Sequence, residues 1–385
     1  MKIDEVIEFL RNYKRPVKIM EVCGSHTSVI VKNGVRQLIS PSIHLVSGPG
    51  CPVCVTPEKY IDALIEYAMK PNYTVLSFGD LFKVPGSKGS LADAKAIGGR
   101  VELIYSPLDS LIHVKNDPER TYVVAAVGFE TTAPVYAVLL DTVISKNIEN
   151  IRLAASIKTM PQILDFICAG EDIDGFICPG HVSVVTGLTP FFALCEKYRK
   201  PFIVAGFEPE HILAAIYEIV RQIEKREPKA VNLYKGTVTG RPQAKALELL
   251  DKYFIQSDAF WRGIGMIKGS GLSLRPEYER FGVNVTEKET EAGTKTETQA
   301  KTETGPRTEI GTKTETETGF QKETKTITEI IRSVDSCRCS EVMLGRILPN
   351  ECPLFGSKCT PDNPAGACMV SAEGSCGIAY TQYYY

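Results

Sequence analysis

Six of the twelve cysteines of this 385-residue chain lie close to its C-terminal end and carry the clearest chemical signal in the sequence. They are Cys337, Cys339, Cys352, Cys359, Cys368 and Cys376. Prolines and glycines separate them, and a segment this short and rich in loops buries little apolar surface of its own. We therefore expect disulfides or a thiolate-bound metal centre to hold the segment together.

The start of the chain and the spacing of these cysteines favour the metal centre. Residues 1–16 have the pattern of a charged amphipathic helix without the apolar stretch of a secretory signal, which predicts a reducing compartment. The spacings are wide and irregular, unlike the paired C-x-x-C knuckles of zinc sites, and are typical of an iron–sulfur cluster bound by several loops. A cubane cluster takes four thiolates, which leaves two of the six without a ligand role. Zinc and structural disulfides remain as alternatives.

A second cysteine motif follows the first predicted strand. The apolar run PVKIMEV predicts a buried strand, and it ends in Cys23-Gly24-Ser25-His26. The carboxyl ends of parallel strands are where α/β proteins place their ligands, so the thiol of Cys23 and the imidazole of His26 could reach one atom. The alternative is a buried cysteine beside an unrelated loop histidine.

A third motif is the C-x-x-C pair of Cys51 and Cys54, which follows the predicted strand IHLVSG and a Gly-Pro-Gly turn. This spacing suits a redox dithiol or half of a metal site, with two structural cysteines as the alternative. A helix over Glu58–Met69 should follow, with Thr56 as N-cap and Pro57 at the first helical position. The positive end of its dipole would lower the pKa of a nearby thiol.

Strands and helices alternate through most of the remaining sequence, which predicts parallel sheets covered by helices. Strands are expected at YTVLSFGD, VELIYS, TYVVAAVG, 152–156, DGFIC and PFIVAGF, and helices near 134–146 and 161–168. Two strands end in Gly-Phe-Glu, at Glu130 and Glu208, and either glutamate alone has the pattern of a solvated loop residue. Cys168, Cys178 and Cys195 lie in apolar runs and are expected in the core.

We expect an α/β fold with two similar parallel-sheet α/β domains facing a central cleft, and a small C-terminal iron–sulfur domain. The first domain should span residues 1–125 and the second 126–230, followed by a connecting helical or bridging region over 231–285. Residues 286–328 repeat Thr, Glu and Lys with almost no apolar residue, which predicts a disordered insertion. The Cys-rich domain should occupy residues 329–385.

Charge and composition argue against two classes of partner. The net charge of −2 gives no broad basic surface, so no nucleic acid is expected. No apolar stretch reaches the roughly 18–20 residues of a membrane span. With 43% hydrophobic and 23% charged residues, the expected product is a soluble cytoplasmic protein.

Several motifs, taken together, resemble the HypD family of hydrogenase maturation factors. The resemblance is carried, in this order, by Cys23–His26, Gly48–Cys54, Gly128–Pro134, Pro179–His181 and the tail from Cys352 to Cys376. It covers almost the whole chain except the Thr/Glu/Lys insertion. The first motif of the family usually reads Cys-Gly-Thr-His-Met, whereas this chain has serine and threonine at the third and fifth positions and keeps the cysteine and histidine.

The resemblance implies a scaffold that assembles the Fe(CN)2CO group of nickel–iron hydrogenases, rather than a conventional turnover enzyme. HypD-like proteins work with the small partner HypC, and a transient mononuclear iron that carries the CN and CO ligands is held between the two. Cyanide comes from HypE, and the finished group passes by way of HypC to the hydrogenase large-subunit precursor. The free chain is expected to be a monomer.

The resemblance also implies residue roles at the iron. Cys23 would supply one thiolate to the iron, with a second from HypC, since thiolate is a soft ligand. His26 would orient or protonate the site. Cys51 and Cys54 would form a redox-active dithiol, with Cys54 also near the iron.

In the tail, the resemblance implies a [4Fe–4S] cluster and a second thiol pair. The cluster ligands would be Cys337, Cys352, Cys359 and Cys376. Cys339 and Cys368 would then form a dithiol or disulfide that relays electrons between the cluster and the C-x-x-C pair.

Two functions from other classes remain as alternatives. A stand-alone iron–sulfur dithiol/disulfide reductase would act without HypC and would need neither Cys23 nor His26. A zinc-stabilised interaction protein would be colourless, because zinc has no visible charge-transfer absorption.

Overall fold

A computed structural model of the chain describes residues 2–285 and 337–384 as an α/β protein built on two sheets. The α/β fold with two mainly parallel sheets is confirmed. The expected insertion at 286–328 lies outside the described residues, as does the beginning of the expected Cys-rich domain. Among the described residues, no helix combines the length and the apolar character needed to cross a bilayer.

The first sheet contains five parallel strands. In chain order they are β1 (Val17–Glu21), β2 (Ile43–Ser47), β7 (Gly175–Pro179), β8 (Phe202–Ala205) and β9 (Ala230–Asn232). Their spatial order is β2-β1-β7-β8-β9, so β1 lies between β2 and β7. The loops that leave the carboxyl ends of β1, β2, β7 and β8 therefore open on one edge of this sheet.

The second sheet contains six strands in the order β10-β11-β6-β5-β3-β4. The parallel part consists of β3 (Tyr73–Ser77), β4 (Val101–Leu103), β5 (Thr121–Gly128) and β6 (Ile151–Lys158). A long antiparallel hairpin, β10 (Phe254–Trp261) and β11 (Gly265–Leu274), extends the sheet beside β6. The tip of this hairpin reaches the cysteine motifs.

The helices connect and cover these strands. In chain order they are α1 (Ile3–Asn12), α2 (Gly24–Lys32), α3 (Val35–Leu38), α4 (Glu58–Met69), α5 (Leu91–Ala96), α6 (Ser110–Asn116), α7 (Ala133–Ser145), α8 (Met160–Gly170), α9 (Gly180–Thr186), α10 (Thr189–Tyr198), α11 (Pro209–Lys225), α12 (Ala244–Tyr253), α13 (Cys339–Met343), α14 (Ala367–Val370) and α15 (Ser375–Tyr384). Short 3-10 helices lie at Pro107–Asp109, Pro276–Phe281 and Pro349–Glu351.

Successive side chains of a strand point to opposite faces of its sheet, and the apolar residues accordingly divide among three cores. In β1, Ile19 packs with α1 and α11 on the outer face of the first sheet, whereas Met20 belongs to a central core. In β5, Val123 belongs to the same central core, whereas Val124 packs with α7 and α12 on the outer face of the second sheet. Leu344 and other apolar residues of the tail also join the central core, so the tail is packed into the body of the protein.

The sheets divide the chain differently from the expected boundary between residues 125 and 126. That boundary falls inside β5, and each sheet takes strands from both sides of it. The chain passes from the first sheet to the second after β2, returns after β6, and passes again after β9. Periodicity identifies strands but does not identify their partners, because parallel neighbours are joined by crossovers that need not stay in one sheet.

Most of the local predictions are confirmed, with one exception at α4. The helix spans Glu58–Met69 as expected, but Pro57 and not Thr56 is its N-cap. The Thr56 hydroxyl instead donates a hydrogen bond of 2.9 Å to the carbonyl oxygen of Pro52. Thr56 therefore stabilises the C-x-x-C turn and does not cap the helix.

Candidate functional site

Cys23 lies at the N-cap position of α2, two residues beyond the end of β1. Burial raises the pKa of its thiol to about 11, while the backbone N–H groups of Ser25 and His26 face the sulfur and act in the opposite direction. These amides belong to the first turn of α2, where the helix leaves N–H groups without internal partners. An anionic sulfur at Cys23 is therefore disfavoured by burial and supported by the helix end.

The Cys23 turn is anchored by Glu21, a buried carboxylate that sequence reasoning missed. The backbone N–H of Cys23 donates to Glu21 Oε2 at 3.1 Å, and the Thr27 hydroxyl donates to Oε1. Burial raises the pKa of Glu21 to about 7, although hydrogen bonds from Thr27 and Ser47 oppose the shift. The only available signal was a charged residue at the end of an otherwise apolar strand pattern.

His26 is fully buried and packs against Phe207 in a tilted arrangement, with ring centroids 4.9 Å apart. Phe207 also stacks on His181 at 4.2 Å, so loops that follow β1, β7 and β8 meet here. Burial lowers the pKa of His26 to about 4, against the opposing effect of backbone groups at Ala205 and Gly206. The imidazole is therefore neutral near pH 7, and neither ring nitrogen has a hydrogen-bond partner among the described residues.

The C-x-x-C turn lies directly against the Cys23 turn. A Cβ at Gly50 would clash with the backbone of Cys23, including a distance of 2.6 Å to its Cα, so this close approach requires glycine. The structure thus brings Cys23 and the segment that begins at Cys51 into contact. This proximity follows from the pairing of β1 with β2, whose carboxyl ends lie side by side.

Cys51 and Cys54 are both buried, and the Cys54 N–H donates to Cys51 Sγ at 3.2 Å. The expected lowering of a thiol pKa by the α4 dipole is wrong for Cys54. Burial raises the pKa of Cys54 well above its ordinary value and outweighs the effect of the nearby Cys368 thiol, which lowers it. Cys54 Sγ also lies 4.0 Å from the carbonyl oxygen of Ala367, so this thiol faces the tail.

The tail thiols continue from Cys54 as a connected network. Cys368 interacts with the thiols of Cys339, Cys376 and Cys54. Cys337 Sγ lies 3.2 Å from Cys339 Sγ. The structure therefore places the expected relay pair, Cys339 and Cys368, next to each other and places Cys368 next to the C-x-x-C motif.

The four expected cluster ligands are less tightly grouped. Cys337 is electrostatically coupled to both Cys359 and Cys376. Cys359 Sγ accepts a hydrogen bond of 3.3 Å from the N–H of Ala365, and Cys352 is buried near Arg338. Within residues 2–285 and 337–384, no three Cys, His, Asp or Glu side chains have metal-binding geometry. The donor set nevertheless consists of thiols, three of them buried and Cys337 partly exposed, which fits the ligand chemistry of an iron–sulfur cluster.

The tip of the β10–β11 hairpin holds the C-x-x-C turn and the tail together, a role that sequence reasoning missed. The Arg262 N–H donates to the carbonyl of Val55 at 3.0 Å, and its guanidinium pairs with Glu58 at 2.8 Å and with the carbonyl of Pro85 at 2.8 Å. The next residue, Gly263, packs against Ser340 with a φ of 71°. No local pattern predicts this contact, because the hairpin is distant from both motifs along the chain.

Two further contacts dock the tail on the first sheet. The Ser25 hydroxyl donates to Glu373 Oε1 at 3.3 Å, beside the Cys23 turn. Arg346 forms an ion pair of 2.6 Å with Glu171. The tail therefore contacts the Cys23 turn as well as the C-x-x-C turn.

The remaining candidates differ in their surroundings. Glu130 is buried, so its interpretation as a solvated loop residue is wrong, and its Oε1 accepts the N–H of Met160 at 2.8 Å. Burial raises its pKa to about 7. Glu208 is exposed at the N-cap of α11, as expected. The core positions predicted for the other three cysteines are confirmed: Cys168, Cys178 and Cys195 are buried.

Comparison with known proteins gives consistent matches along the whole chain. The model of the HypD family, described as the hydrogenase formation hypA family, matches residues 1–310 and 311–384. The hydrogenase maturation factor HypD of Rhodobacter capsulatus is 36% identical over 379 residues, which cover 96% of this chain and 90% of that protein. The protein of the same name from Escherichia coli K12 is 35% identical over 370 residues, which cover 95% and 89%. The chain therefore belongs to the HypD family.

Proposed function

We propose that this chain is a hydrogenase maturation factor that acts, together with HypC, as the scaffold on which the Fe(CN)2CO group of nickel–iron hydrogenases is assembled. Family membership and the names of the relatives support this role. The observation that carries it is the continuity of the thiols, because Cys23 lies against the C-x-x-C turn and Cys54 lies against Cys368 of the tail. A ligand-binding thiol and a redox path are thereby placed side by side.

The iron is cargo in this proposal, and Cys23 provides one thiolate to it while HypC provides another. The N–H groups of Ser25 and His26 support the anionic sulfur, and Glu21 fixes the backbone of Cys23. Cys54 lies on the tail side of the same site. Because His26 is buried and neutral, it orients the α2 turn through its packing against Phe207 and does not carry a proton near pH 7.

In the tail, Cys337, Cys352, Cys359 and Cys376 are proposed to hold a [4Fe–4S] cluster. When bound, the cluster supplies one-electron exchange. The residues of this chain that surround it exclude water, since Cys352, Cys359 and Cys376 are buried. Arg262 anchors the hairpin tip at Glu58 and Pro85, and the neighbouring Gly263 packs against Ser340 of this segment.

The relay between the two thiol pairs is a disulfide exchange. Starting from an oxidised Cys339–Cys368 pair, the Cys54 thiolate attacks Cys368 Sγ, forms the Cys54–Cys368 disulfide and releases Cys339. The Cys51 thiolate then attacks Cys54 Sγ, closes the Cys51–Cys54 disulfide and releases Cys368. Two electrons pass to the tail pair, and the protons lost by Cys51 and Cys54 are taken up by Cys339 and Cys368. The reverse sequence returns the electrons to the C-x-x-C pair.

The partners follow from the same role. HypE delivers cyanide to the iron held at Cys23, and HypC carries the finished group to the hydrogenase large-subunit precursor. The free chain is proposed to be a cytoplasmic monomer. Its open surface at the carboxyl ends of β1, β7 and β8 is where a second thiolate from HypC would approach Cys23.

The test is anaerobic co-purification with HypC, followed by iron and sulfide analysis and by infrared spectroscopy of the metal-bound CN and CO stretches. We expect the wild type to bind HypC and to show these bands, and Cys23→Ala to lose the bands while keeping the sulfide of the tail. Cys195→Ala is the matched control, because it removes a buried thiol that lies on α10 and outside the thiol network. Failure of the wild type to bind HypC, or bands retained in Cys23→Ala, would contradict the proposal.

The same preparations distinguish the alternatives. A stand-alone reductase would reduce a protein disulfide without HypC and would not depend on Cys23. The burial of both C-x-x-C thiols argues against it, because a protein substrate would have to reach them. A zinc-stabilised interaction protein would contain zinc and no acid-labile sulfide.

A further inference from the structure

A cavity of about 280 Å³ lies between the tail and the part of the first sheet that carries Cys23. It is enclosed by α2 and α3, by the end of β2, and by α13 and α15 of the tail. The apolar side chains of its lining, called the apolar wall below, include Val31, Val342 and Ile347. Other lining residues present hydroxyl and amide groups. A small cavity lined by apolar side chains and a few polar groups is typical of a ligand site.

Arg36 gives this cavity its charge. It is the only lining residue with a charged side chain near pH 7 among the described residues. Its Nε is buried and has no hydrogen-bond partner among them. Burial lowers the pKa of its guanidinium, while the nearby carboxylate of Glu21 acts to raise it. A buried guanidinium donor without a partner is costly, and this cost points to a missing acceptor.

Glu21 does not fill that need. Its two carboxylate oxygens accept hydrogen bonds from the N–H of Cys23 and the hydroxyl of Thr27. Its negative charge lies close enough to affect Arg36, but its lone pairs face the Cys23 turn. Arg36 lines the cavity and its Nε has no partner among the described residues, so an anionic occupant of the cavity could supply the missing charge partner.

We propose that this cavity binds a small organic carboxylate, with Arg36 holding the carboxylate and the apolar wall holding its body. A planar guanidinium matches a carboxylate through two parallel hydrogen bonds. The apolar wall favours a ligand with a hydrocarbon part over a fully hydrated inorganic anion. This proposal goes beyond the assembly role and does not depend on it.

The cavity is connected to the Cys23 turn through one side chain. Thr27 lines the cavity, and its hydroxyl donates to the same carboxylate that holds the backbone of Cys23. An occupant that draws Arg36 away from Glu21 would change the surroundings of that carboxylate. The alkylation rate of the Cys23 thiol is therefore a second readout of occupancy.

The test uses the full chain, with butyrate as the probe and the neutral butyramide as its isosteric control, at constant ionic strength in isothermal titration calorimetry. Saturable binding of butyrate is expected, and Arg36→Met should weaken it roughly tenfold or more, the loss of a charged hydrogen bond. Lys32→Met is the matched control, since it removes an exposed positive charge from α2 outside the cavity. Val31→Phe keeps Arg36 but fills the cavity, and it should also abolish binding.

Three outcomes would overturn the proposal. The first is the absence of saturable butyrate binding to the wild type. The second is binding that survives in both Arg36→Met and Val31→Phe while the circular dichroism of each variant remains that of the wild type. The third is butyramide or inorganic phosphate binding as tightly as butyrate, because neither combines a carboxylate with an apolar body.

Discussion

Replacing Arg262 with methionine should free the hairpin tip from the C-x-x-C turn, and the tail should loosen with it because Gly263 at the tip packs against Ser340. The side chain of Arg262 is 11% exposed and that of Glu58 is 26% exposed, so their ion pair is largely shielded from solvent. Breaking a buried pair by removing one partner costs about 3–5 kcal/mol, and the partial exposure of Glu58 places this pair at the lower end, about 3 kcal/mol. The carbonyl of Pro85 loses its partner as well.

The assay is the alkylation rate of Cys368, measured by peptide mass spectrometry on anaerobically reduced protein. Cys368 is only 1% exposed, so it reacts when the tail opens and its rate reports the free energy of local opening. A loss of about 3 kcal/mol corresponds to a rise of roughly a hundredfold in this rate. Glu58→Gln should give a smaller rise, and the double variant should fall short of the sum, since the two side chains interact directly.

The matched control is Lys88→Met, which removes the cation of an ion pair with Glu66 in which both side chains are more than 60% exposed. This change should leave the alkylation rate of Cys368 unaltered, because exposed pairs contribute little. An Arg262→Met variant that behaves like Lys88→Met, or additive effects in the double variant, would show that the hairpin tip does not hold the tail.

Three further predictions follow from the buried groups around Cys23. Gly50→Ala should destabilise the protein by about 1–3 kcal/mol, because its Cβ clashes with the Cys23 backbone. Gly79→Ala should have no such effect, since a Cβ there meets nothing within 4 Å. Equal midpoints of the two variants in urea denaturation would contradict this prediction. The pKa of Glu21 rises from 4.5 to about 7 on folding, so the folded state binds one more proton than the unfolded state between these pH values. The free energy of unfolding should therefore fall as the pH rises through this range. Glu21→Gln should remove this dependence on pH. The pKa of His26 falls from 6.5 to about 4 on folding, so the unfolded state binds one more proton than the folded state between these pH values. The free energy of unfolding should therefore fall as the pH drops from 6.5 to 4. A pKa near 6.5 for His26 in the folded protein, measured by NMR titration, would refute this reasoning.

Features set by local sequence were predictable. The bounds of α4 follow from its apolar period and the proline before it, and the alternating strands of the α/β fold follow from their apolar runs. The positions of Cys23 and Cys51 at neighbouring strand ends could also be anticipated, because chemistry in such folds gathers at the carboxyl ends of strands.

Features set by long-range contact were not predictable. The pairing of β1 with β7, which are separated by the strands of the other sheet along the chain, has no local signature. Arg262 is one arginine among many in the sequence, and its role depends on where the hairpin tip lies. The raised pKa of Cys54 likewise depends on burial under the tail, which outweighs the helix dipole that the sequence did indicate.

The threefold passage of the chain between the two sheets has a consequence for fragments of this protein. A cut in the loop between α7 and β6 would leave one piece with β1 to β5 and another with β6 to β11. Neither piece could complete a sheet alone, because β1 needs β7 and β5 needs β6. The two pieces would therefore stay together as a nicked complex held by backbone hydrogen bonds in both sheets, and they should regain their structure only when refolded in each other's presence.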